Sequence, residues 1–347
     1  MAPKTITIIG SLNTDLVTHT PRVPIGGETL TATSFSTGSG GKGANQAVAC
    51  ARLSRPKPSS SQTHPTSDVV VKMVGGVGHD EFGPPLVESM KRDGIDTSGI
   101  RIVEGQTTGV AVIIVEEGSG ENRILLNPGA NYTLKAEDFR APESLGTPLP
   151  DMIVMQLEIP LETVLQILDT AKKAGVDVLL NPAPAVKLPE EAYTAITHLI
   201  VNESEAAILS GRRVEEVEKE GFEWEGLASE FLRKGVQNVV VTLGAKGAYY
   251  ATAAGGAGYI KAEKVEKVVD TTAAGDTFVG AYAVSIVRKS LPSGTSLSEE
   301  YKHKPLDEEV IRFACKAAAR TVEKRGAQSA IPWADEIERH DARGGLK

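Results

Sequence analysis

Short runs of apolar residues, separated by stretches with helical spacing, constrain most strongly how this chain of 347 residues can fold. The runs are largely apolar rather than alternating, and strands of that kind are buried on both faces of a parallel sheet. We therefore predict a doubly wound α/β fold, with a mostly parallel sheet and helices on both of its faces. The predicted strands are Thr5–Gly10, Val69–Val74, Met152–Leu157, Val176–Leu180, Leu199–Asn202 and Asn238–Leu243.

Two stretches, residues 15–36 and 99–127, depart from this pattern. Apolar and polar residues alternate in them, as in Gly109–Val115, and no helical segment separates the alternating runs. Alternation of this kind is typical of strands with one face in solvent. We expect a small antiparallel sheet that forms a lid, inserted into an α/β domain made of residues 1–14, 37–98 and 128–340.

The composition excludes several classes of protein. The net charge of −8 argues against nucleic acid as a partner, because binding to a phosphate backbone requires a basic surface. No stretch approaches the roughly 18 apolar residues of a membrane span, and the first residues lack the apolar core of a signal peptide. Cys50 and Cys315 lie in Ala-rich helical segments and are expected to be buried thiols. We expect a cytoplasmic protein that does not bind membranes.

A glycine-rich segment, Gly38–Ala47, contains the spacing GxGxxG. A dinucleotide fold would need an apolar strand before it and an acid about 20 residues later, and both are absent from this sequence. It is also not a Walker A loop, because glycine follows Lys42. The segment predicts a turn that approaches a small polar ligand, with Lys42 and Asn45 projecting from the start of a helix over Ala44–Leu53.

A second segment, Asp270–Phe278, places small residues at 273–275 just before a helix. Unpaired N–H groups at a helix N-terminus suit an anion, and Asp276 lies in the first helical turn. We interpret the segment as a phosphate site with a carboxylate base. The alternative is an acid that merely stabilises the positive end of the helix.

Further polar groups follow the predicted strands, at the sheet edge where ligands bind in open α/β folds. Asn13 and Asp15 follow the first strand and Glu158 follows the third, so that together they describe a cleft able to bind sugar hydroxyls. The segments Asn202–Glu205 and Thr242–Gly247 lie at the same edge. Helix capping is the alternative interpretation of the acids in Asn202–Glu205.

These segments together resemble the ribokinase family of carbohydrate kinases, also called the PfkB family. Gly41–Ala47 matches its first signature and Asp270–Phe278 its second, and the order of segments matches from about residue 5 to 335. The other matching segments are Gly10–Asp15, Met155–Glu158, Asn181–Pro184, Asn202–Glu205 and Arg325–Gln328. The resemblance implies phosphorylation of D-ribose at its 5-hydroxyl by ATP, with Mg²⁺ and K⁺ as cofactors.

The resemblance also implies residue roles, with Asp276 as catalytic base. Ribose would contact Asn13, Asp15, Gly41, Lys42, Gly43, Ala44, Asn45, Glu158 and Asp276. ATP would contact Asn202, Thr242, Leu243, Gly244, Ala245, Lys246, Gly247, Ala274, Gly275 and Cys315. Glu205 would position Mg²⁺, and K⁺ would be held near Asp270, Thr272, Thr321, Lys324, Gly326 and Ala330. Cys315 and Ala330 depart from the family, which often has His or Asn at the first position and Ser at the second.

Two alternatives remain open beside a ribose kinase. A kinase of the same family for a nucleoside or another sugar would need lid residues that stack a base. Before Tyr132 the only aromatic residues are Phe35 and Phe82, which favours a free sugar. A catalytically silent sugar sensor would be expected to lack Asp276 or Glu205. Exposed strand edges in the lid favour a homodimer that forms through the lid sheets.

Overall fold

The computed structural model describes residues 3–59, 67–119, 121–289 and 306–344. Within them, nine strands form one sheet in the order β13-β12-β11-β10-β9-β8-β1-β4-β5, and four form a second sheet in the order β3-β2-β6-β7. The strands are β1 Lys4–Ile9, β2 Asn13–Thr20, β3 Ser34–Gly40, β4 Val69–Gly78, β5 Asp96–Val103, β6 Gly109–Glu116, β7 Asn122–Asn127, β8 Met152–Met155, β9 Asp177–Leu180, β10 His198–Asn202, β11 Asn238–Thr242, β12 Ala248–Thr252 and β13 Ala257–Ile260.

The large sheet is parallel from β11 to β5, and the pairs β11–β12 and β12–β13 are antiparallel. Helices pack on both of its faces, which confirms the predicted α/β fold. The helices are α1 Lys42–Leu53, α2 Gly83–Arg92, α3 Leu161–Ala174, α4 Glu203–Ser210, α5 Val214–Val217, α6 Trp224–Arg233, α7 Ala274–Lys289, α8 Glu308–Thr321 and α9 Ala334–Gly344.

Neighbouring residues of one strand enter opposite cores, which explains why these strands are apolar throughout. Ile8 belongs to the core formed with α1, α7 and α8, whereas Ile9 belongs to the core formed with α3 and α6. Both side chains are fully buried. A polar residue at either position would therefore face a helix layer instead of solvent.

The small sheet differs from the prediction in two respects. β2 pairs with β3 and β6 with β7 in antiparallel fashion, but β2 and β6 are parallel. The chain returns to the small sheet through β4, α2 and β5 of the large domain, and this long crossover permits a parallel pair. β5 pairs with β4, so residues 99–103 belong to the large sheet, whereas residues 13–14 and 37–40 belong to the small one.

The sequence also suggests a short strand over Val265–Val269, but this segment lies outside both sheets, and Val269 donates its N–H to the carbonyl oxygen of Val322, 2.8 Å away, at the end of α8. The polar composition of Ser54–Ser67 and Leu291–Pro305 predicts surface loops; the first segment falls partly and the second wholly outside the described residues. Among the described helices, none is both long and apolar enough to span a membrane.

Candidate active site

Several of the predicted polar groups meet along one edge of the large sheet. Ser11–Asn13 follows β1, Glu158 follows β8, Asn202 ends β10 and Thr242 ends β11. These strands are parallel, so their carboxyl ends point the same way. The sheet order, which the sequence does not specify, decides which of these groups become neighbours.

Glu158 connects three segments at the centre of this edge. Its Oε2 atom accepts hydrogen bonds from Ser11 Oγ at 2.5 Å, from the Lys42 backbone N–H at 3.0 Å and from Asn13 Nδ2 at 3.5 Å. Asn13 Oδ1 in turn accepts from Asn131 Nδ2 at 2.8 Å. The carboxylate thus holds the end of β1 and the start of α1 together, and within the described residues only its Oε2 atom accepts hydrogen bonds.

Asp15 lies close to two other acids. Burial raises the pKa of its carboxyl to about 7, and the negative charges of Glu158 and Asp276 add to that increase. Gly40 makes room for it, because a Cβ atom at Gly40 would overlap the Asp15 carboxylate. Glu158 and Asp276 therefore both lie near Asp15, and a ligand with several hydroxyl donors could form hydrogen bonds with these acids.

If Asp15 binds sugar hydroxyls as predicted, ribose binding should weaken as the pH falls from 8 to 5.5, beginning near the Asp15 pKa of about 7. A protonated Asp15 would not make charge-assisted hydrogen bonds to hydroxyl groups, so the Kd should rise by at most about tenfold per pH unit. Calorimetric titration of ribose across this range measures the effect. In Asp15→Asn the Kd should vary much less with pH; equal pH dependence in both proteins would contradict the assignment.

The glycine-rich segment turns between β3 and α1. Gly41 has φ 86°, and a Cβ atom there would lie 2.7 Å from the backbone nitrogen of Asn13. Ala44 donates its N–H to the carbonyl oxygen of Ser11 at 2.8 Å. In the structure the close approach that these small residues permit is to the chain segment Ser11–Asn13; their approach to a ligand remains a prediction.

Lys42 is half-buried among acids from three different elements. Burial acts to lower its pKa, but the negative charges of Asp276, Glu158 and Glu205 outweigh burial, and the pKa of Lys42 is raised. The amine therefore stays charged at neutral pH. Its positive charge partly balances the negative charges of these three acids.

Asp276 is 6% exposed in the first turn of α7. Asn45 Nδ2 donates to its Oδ2 at 3.0 Å, and Gln46 Nε2 donates to its Oδ1 at 2.9 Å. Asn45, predicted to contact a sugar, therefore also fixes the carboxylate. Each oxygen of Asp276 keeps a lone pair for a further partner.

The turn before α7 differs in one detail from the expected anion site. Ala273 has φ 60°, an uncommon conformation for a residue other than glycine. The Ala274 N–H donates to the carbonyl oxygen of Thr271 at 3.3 Å, so it is not free as expected. Across the described residues, no hydrogen bond uses the N–H groups of Gly275 and Asp276. A Cβ atom at Gly275 would meet no protein atom within 4 Å.

The segment Asn202–Glu205 forms a capping box at the start of α4. Asn202 Oδ1 accepts from the Glu205 N–H at 2.8 Å, and Glu205 Oε2 accepts from the Asn202 N–H at 2.9 Å. The capping interpretation is therefore correct for this geometry. Burial raises the pKa of Glu205, and the Asn202 N–H and the charge of Lys42 oppose that increase.

The other predicted ATP contacts lie around β11 and α8. Thr242 donates its hydroxyl to the Val201 carbonyl oxygen at 3.3 Å, and Lys246 lies 3.6 Å from a carboxylate oxygen of Glu203. The Leu243 N–H closes the turn on the Gly247 carbonyl oxygen, around Gly244 and Ala245. Cys315 is buried, and burial raises the pKa of its thiol to about 11.

Two of the predicted cation residues, Thr272 and Gly326, contact Asp270. Its Oδ1 accepts from Thr272 Oγ1 at 2.6 Å and from the Thr272 N–H at 2.9 Å, and its Oδ2 accepts from the Gly326 N–H at 2.9 Å. Burial opposes ionisation, but these hydrogen bonds lower the pKa of Asp270 overall. The Thr321 carbonyl oxygen accepts from the Lys324 N–H. Lys324 Nζ lies 3.3 Å from a Glu336 oxygen, and Ala330 is buried.

Sequence reasoning assigned no role to several residues that hold this site together. Gln46 contacts Asp276, Gln156 contacts Gln46, and Ser11 contacts Glu158. Asn181 contacts Gln46, beside Asp276, and Asn131 contacts Asn13, beside Glu158. Gln46, Ser11, Gln156 and Asn181 each lie inside a segment noted for its pattern, but a pattern in one segment does not show which distant segment it touches.

Comparisons with known proteins agree on one family. Residues 3–334 match pfkB family carbohydrate kinases. A ribokinase from Schizosaccharomyces pombe is 44% identical over 330 residues, 94% of each chain, and one from Haemophilus influenzae is 40% identical over 329 residues, 95% of each chain. The structure of Arabidopsis thaliana ribokinase complexed with ribose and ATP is similar at a TM-score of 0.77 and 29% identity, over 98% of both chains.

Proposed function

We infer the reaction from the family, because this chain belongs to the pfkB family of carbohydrate kinases. It transfers the terminal phosphoryl group of ATP to the 5-hydroxyl of D-ribose and produces D-ribose 5-phosphate. The observation that carries the proposal is the buried carboxylate of Asp276, placed between the free N–H group of Gly275 and the sugar-side acids Asp15 and Glu158. The ribose and ATP in the similar Arabidopsis structure support the same pair of substrates.

Asp276 acts as the general base. A sugar hydroxyl is a poor nucleophile at neutral pH, and a carboxylate within hydrogen-bond reach takes its proton as it attacks the phosphorus atom. Asn45 and Gln46 fix both carboxylate oxygens, so the base does not need to reorient before the transfer. The burial of Asp276 also keeps bulk water away from the transferred group.

The N-terminus of α7 stabilises the negative charge of the phosphoryl group during its transfer from ATP to the sugar. The N–H groups of Gly275 and Asp276 point out of the first turn of a 16-residue helix, where the helix dipole favours negative charge. The missing side chain at Gly275 leaves the approach to these groups open. Lys42 adds a positive charge between the two substrates.

Asp15, Glu158 and Asn13 bind the sugar hydroxyls, and the lid sheet that begins at Asn13 covers them. The nucleotide lies along the carboxyl ends of β10 and β11, next to Thr242 and the turn Gly244–Gly247, with Cys315 on the α8 side. A carboxylate that accepts several hydroxyl bonds orients the ring, so the 5-hydroxyl is the one presented to Asp276.

Magnesium fits the nucleotide side of the site. Mg²⁺ usually keeps several waters and takes one or two carboxylates together with substrate phosphates, and in the described part of the chain no three acidic, His or Cys side chains form a metal site of their own. Glu205 uses Oε2 in the capping box and keeps Oε1 for water around the ion. The ion supplies charge neutralisation of the phosphates when bound.

Potassium is proposed to bind beside Asp270, between the turn before α7 and the end of α8. A helix C-terminus presents carbonyl oxygens with partial negative charge, and Asp270, with its lowered pKa, adds a full charge. Thr272 and Gly326 already hold this carboxylate in place. The ion would act by fixing residues 273–275 beneath the phosphoryl group, without touching substrate.

Turnover is therefore expected to increase with K⁺ and to increase less with Na⁺. Ala330 offers no hydroxyl ligand, so we expect water to complete the site and K⁺ to bind more weakly than in relatives with serine. Rates measured with Tris, Na⁺ and K⁺ salts at one ionic strength test the effect. Equal rates in the three salts would contradict the proposed cation site.

We also propose a homodimer formed through the lid sheets. Strand β7 is exposed along its whole length, with Leu125 66% and Ile124 57% exposed, and Phe35 on β3 is 62% exposed. Exposed apolar strand residues favour pairing with a second chain. Light scattering of the protein and of Leu125→Lys distinguishes a dimer from a monomer. The cytoplasmic location stays a prediction.

ADP release in a coupled assay with ribose, 2-deoxyribose, fructose and adenosine tests the proposed function. The highest kcat/KM is expected with ribose. A preference for another sugar or for adenosine would instead support a sibling kinase. ATP and ribose binding without any ADP release would support the silent sensor.

A further inference from the structure

A row of buried amide side chains lies behind Asp276. Gln156 Nε2 donates to Gln46 Oε1 at 2.6 Å, and Gln46 Nε2 donates both to Asp276 Oδ1 at 2.9 Å and to Asn181 Oδ1 at 3.1 Å. Asn181 Nδ2 donates to the carbonyl oxygen of Ile200 at 3.0 Å. We refer to Gln156, Gln46 and Asn181 as the amide relay; it joins β8, α1 and β9 to the first turn of α7.

The Ile200 carbonyl oxygen, at one end of the amide relay, determines which group is the donor in each hydrogen bond of the relay. The Ile200 carbonyl only accepts, so Asn181 must turn its amino group toward it and its oxygen toward Gln46. Gln46 must then present its amino group to Asn181 and Asp276, and its oxygen to Gln156. Two N–H bonds of Gln46 are consequently committed, one of them to the carboxylate.

The orientation that this arrangement imposes on Gln156 leaves its amide oxygen, Oε1, without a partner among the described residues. Its side chain is fully buried. A Cβ atom at Gly10 would overlap this oxygen, so the neighbouring strand is shaped around it. An apolar side chain of similar length would remove this orphaned acceptor but would leave Gln46 Oε1 without its donor. The glutamine is therefore the side chain that holds Gln46 in its orientation toward Asp276.

We propose that Gln156 and Gln46 are positioning residues, which hold the carboxylate of Asp276 in one orientation for the sugar hydroxyl. Among the described residues, Lys42, Asp15 and Glu205 are charged groups that lie close enough to interact with the charge of Asp276. Gln46 adds a neutral donor that favours the carboxylate form and cannot be withdrawn by a bound phosphate. This inference rests on the proposed kinase reaction.

Gln156→Met tests the amide relay without touching Asp276. The variant removes one orphaned acceptor and creates another, Gln46 Oε1, so the Tm is expected to shift by less than about 3 °C. We expect kcat at saturating ribose and ATP to fall about tenfold, and the acid limb of the kcat–pH profile to move to higher pH. A residue with only a structural role would change the Tm and leave the acid limb in place.

Variants of Gln46 extend the test. Gln46→Leu removes the donor itself, and kcat is expected to fall about 10- to 100-fold. Gln46→Glu keeps the shape but faces Asp276 with a second carboxylate, and a shared proton should move the acid limb further up than in Gln46→Leu. In the double variant, Gln156→Met should cost nothing beyond Gln46→Leu alone, because the relay is already broken. Multiplying effects would overturn the proposal.

Gln166→Met is the matched control. Gln166 lies on α3, away from the site, and its Nε2 donates to Thr170 Oγ1 at 3.1 Å. This variant should keep the wild-type kcat and pH profile. A wild-type protein that releases no ADP with any sugar would contradict the proposed function, whereas an active wild type with unchanged kcat and acid limb in Gln156→Met would overturn the relay alone.

Discussion

Asp276→Asn is expected to lower kcat by about 10²- to 10⁴-fold, the usual loss when a general base is removed. Asparagine keeps the shape but cannot take the proton of the 5-hydroxyl. It also offers one acceptor oxygen to two donors, Asn45 and Gln46, so one of the two existing hydrogen bonds is lost. Steady-state kinetics at saturating ATP and ribose measure the effect.

The loss should be confined to turnover. ATP affinity, measured by calorimetry, is expected to change by less than about threefold, because the N–H groups of residues 275 and 276 remain. Asp169→Asn, at an exposed acid of α3 paired only with Lys173, is the control and should keep full activity. An Asp276→Asn protein with a tenth of the wild-type kcat would contradict the role of Asp276 as base.

Asp15→Ala is expected to have the second-largest effect of the proposed substitutions, which is weaker binding of ribose. Each charge-assisted hydrogen bond to a hydroxyl contributes about 1.5–3 kcal/mol, so losing one of them raises the Kd for ribose about 10- to 100-fold. In the proposed site ATP lies on the far side of Asp276, so it should bind as before. Calorimetry with each substrate separately distinguishes the two effects.

Replacing Asp15 is expected to make the folded protein more stable, although it weakens the binding of ribose. Its carboxyl pKa is raised to about 7 from 3.8, so the folded protein binds the proton more tightly than the unfolded chain. Stability therefore falls as the pH rises through this interval, and the full cost is present at pH 8. Asp15→Asn should accordingly have a higher Tm than wild type at pH 8.

The binding experiment on Asp15→Ala can also contradict the assignment of the cleft. Loss of ATP binding with ribose binding intact would mean that the sugar and nucleotide sides of the cleft are assigned the wrong way round.

The sequence was sufficient for six of the nine described strands of the large sheet, because burial on two faces leaves a local signature; β12 and β13 were not predicted, and β5 was assigned in part to the lid. β1 and β8 are apolar in consecutive residues since each neighbouring side chain enters a different core, and that pattern can be read without knowing the partners. The small sheet was predicted less well. Alternation shows that one face is exposed, but it contains no information on strand direction, so the parallel pair β2–β6 was missed. The same alternation occurs at an edge strand of the large sheet, which explains the misplacement of residues 99–103.

Each of the two signature segments also contains, within a few residues, the groups from which its chemistry was predicted. Small residues before a helix and an acid in its first turn are close neighbours in the chain, so Asp276 and the anion site were predicted from one segment. What surrounds Asp276 was decided only by the tertiary structure. Gln46 and Gln156 are more than 100 residues apart, and they meet because β8, β1 and α1 pack side by side. A sequence pattern reports how one segment is exposed to solvent, whereas a hydrogen bond between distant segments depends on how the whole sheet is ordered.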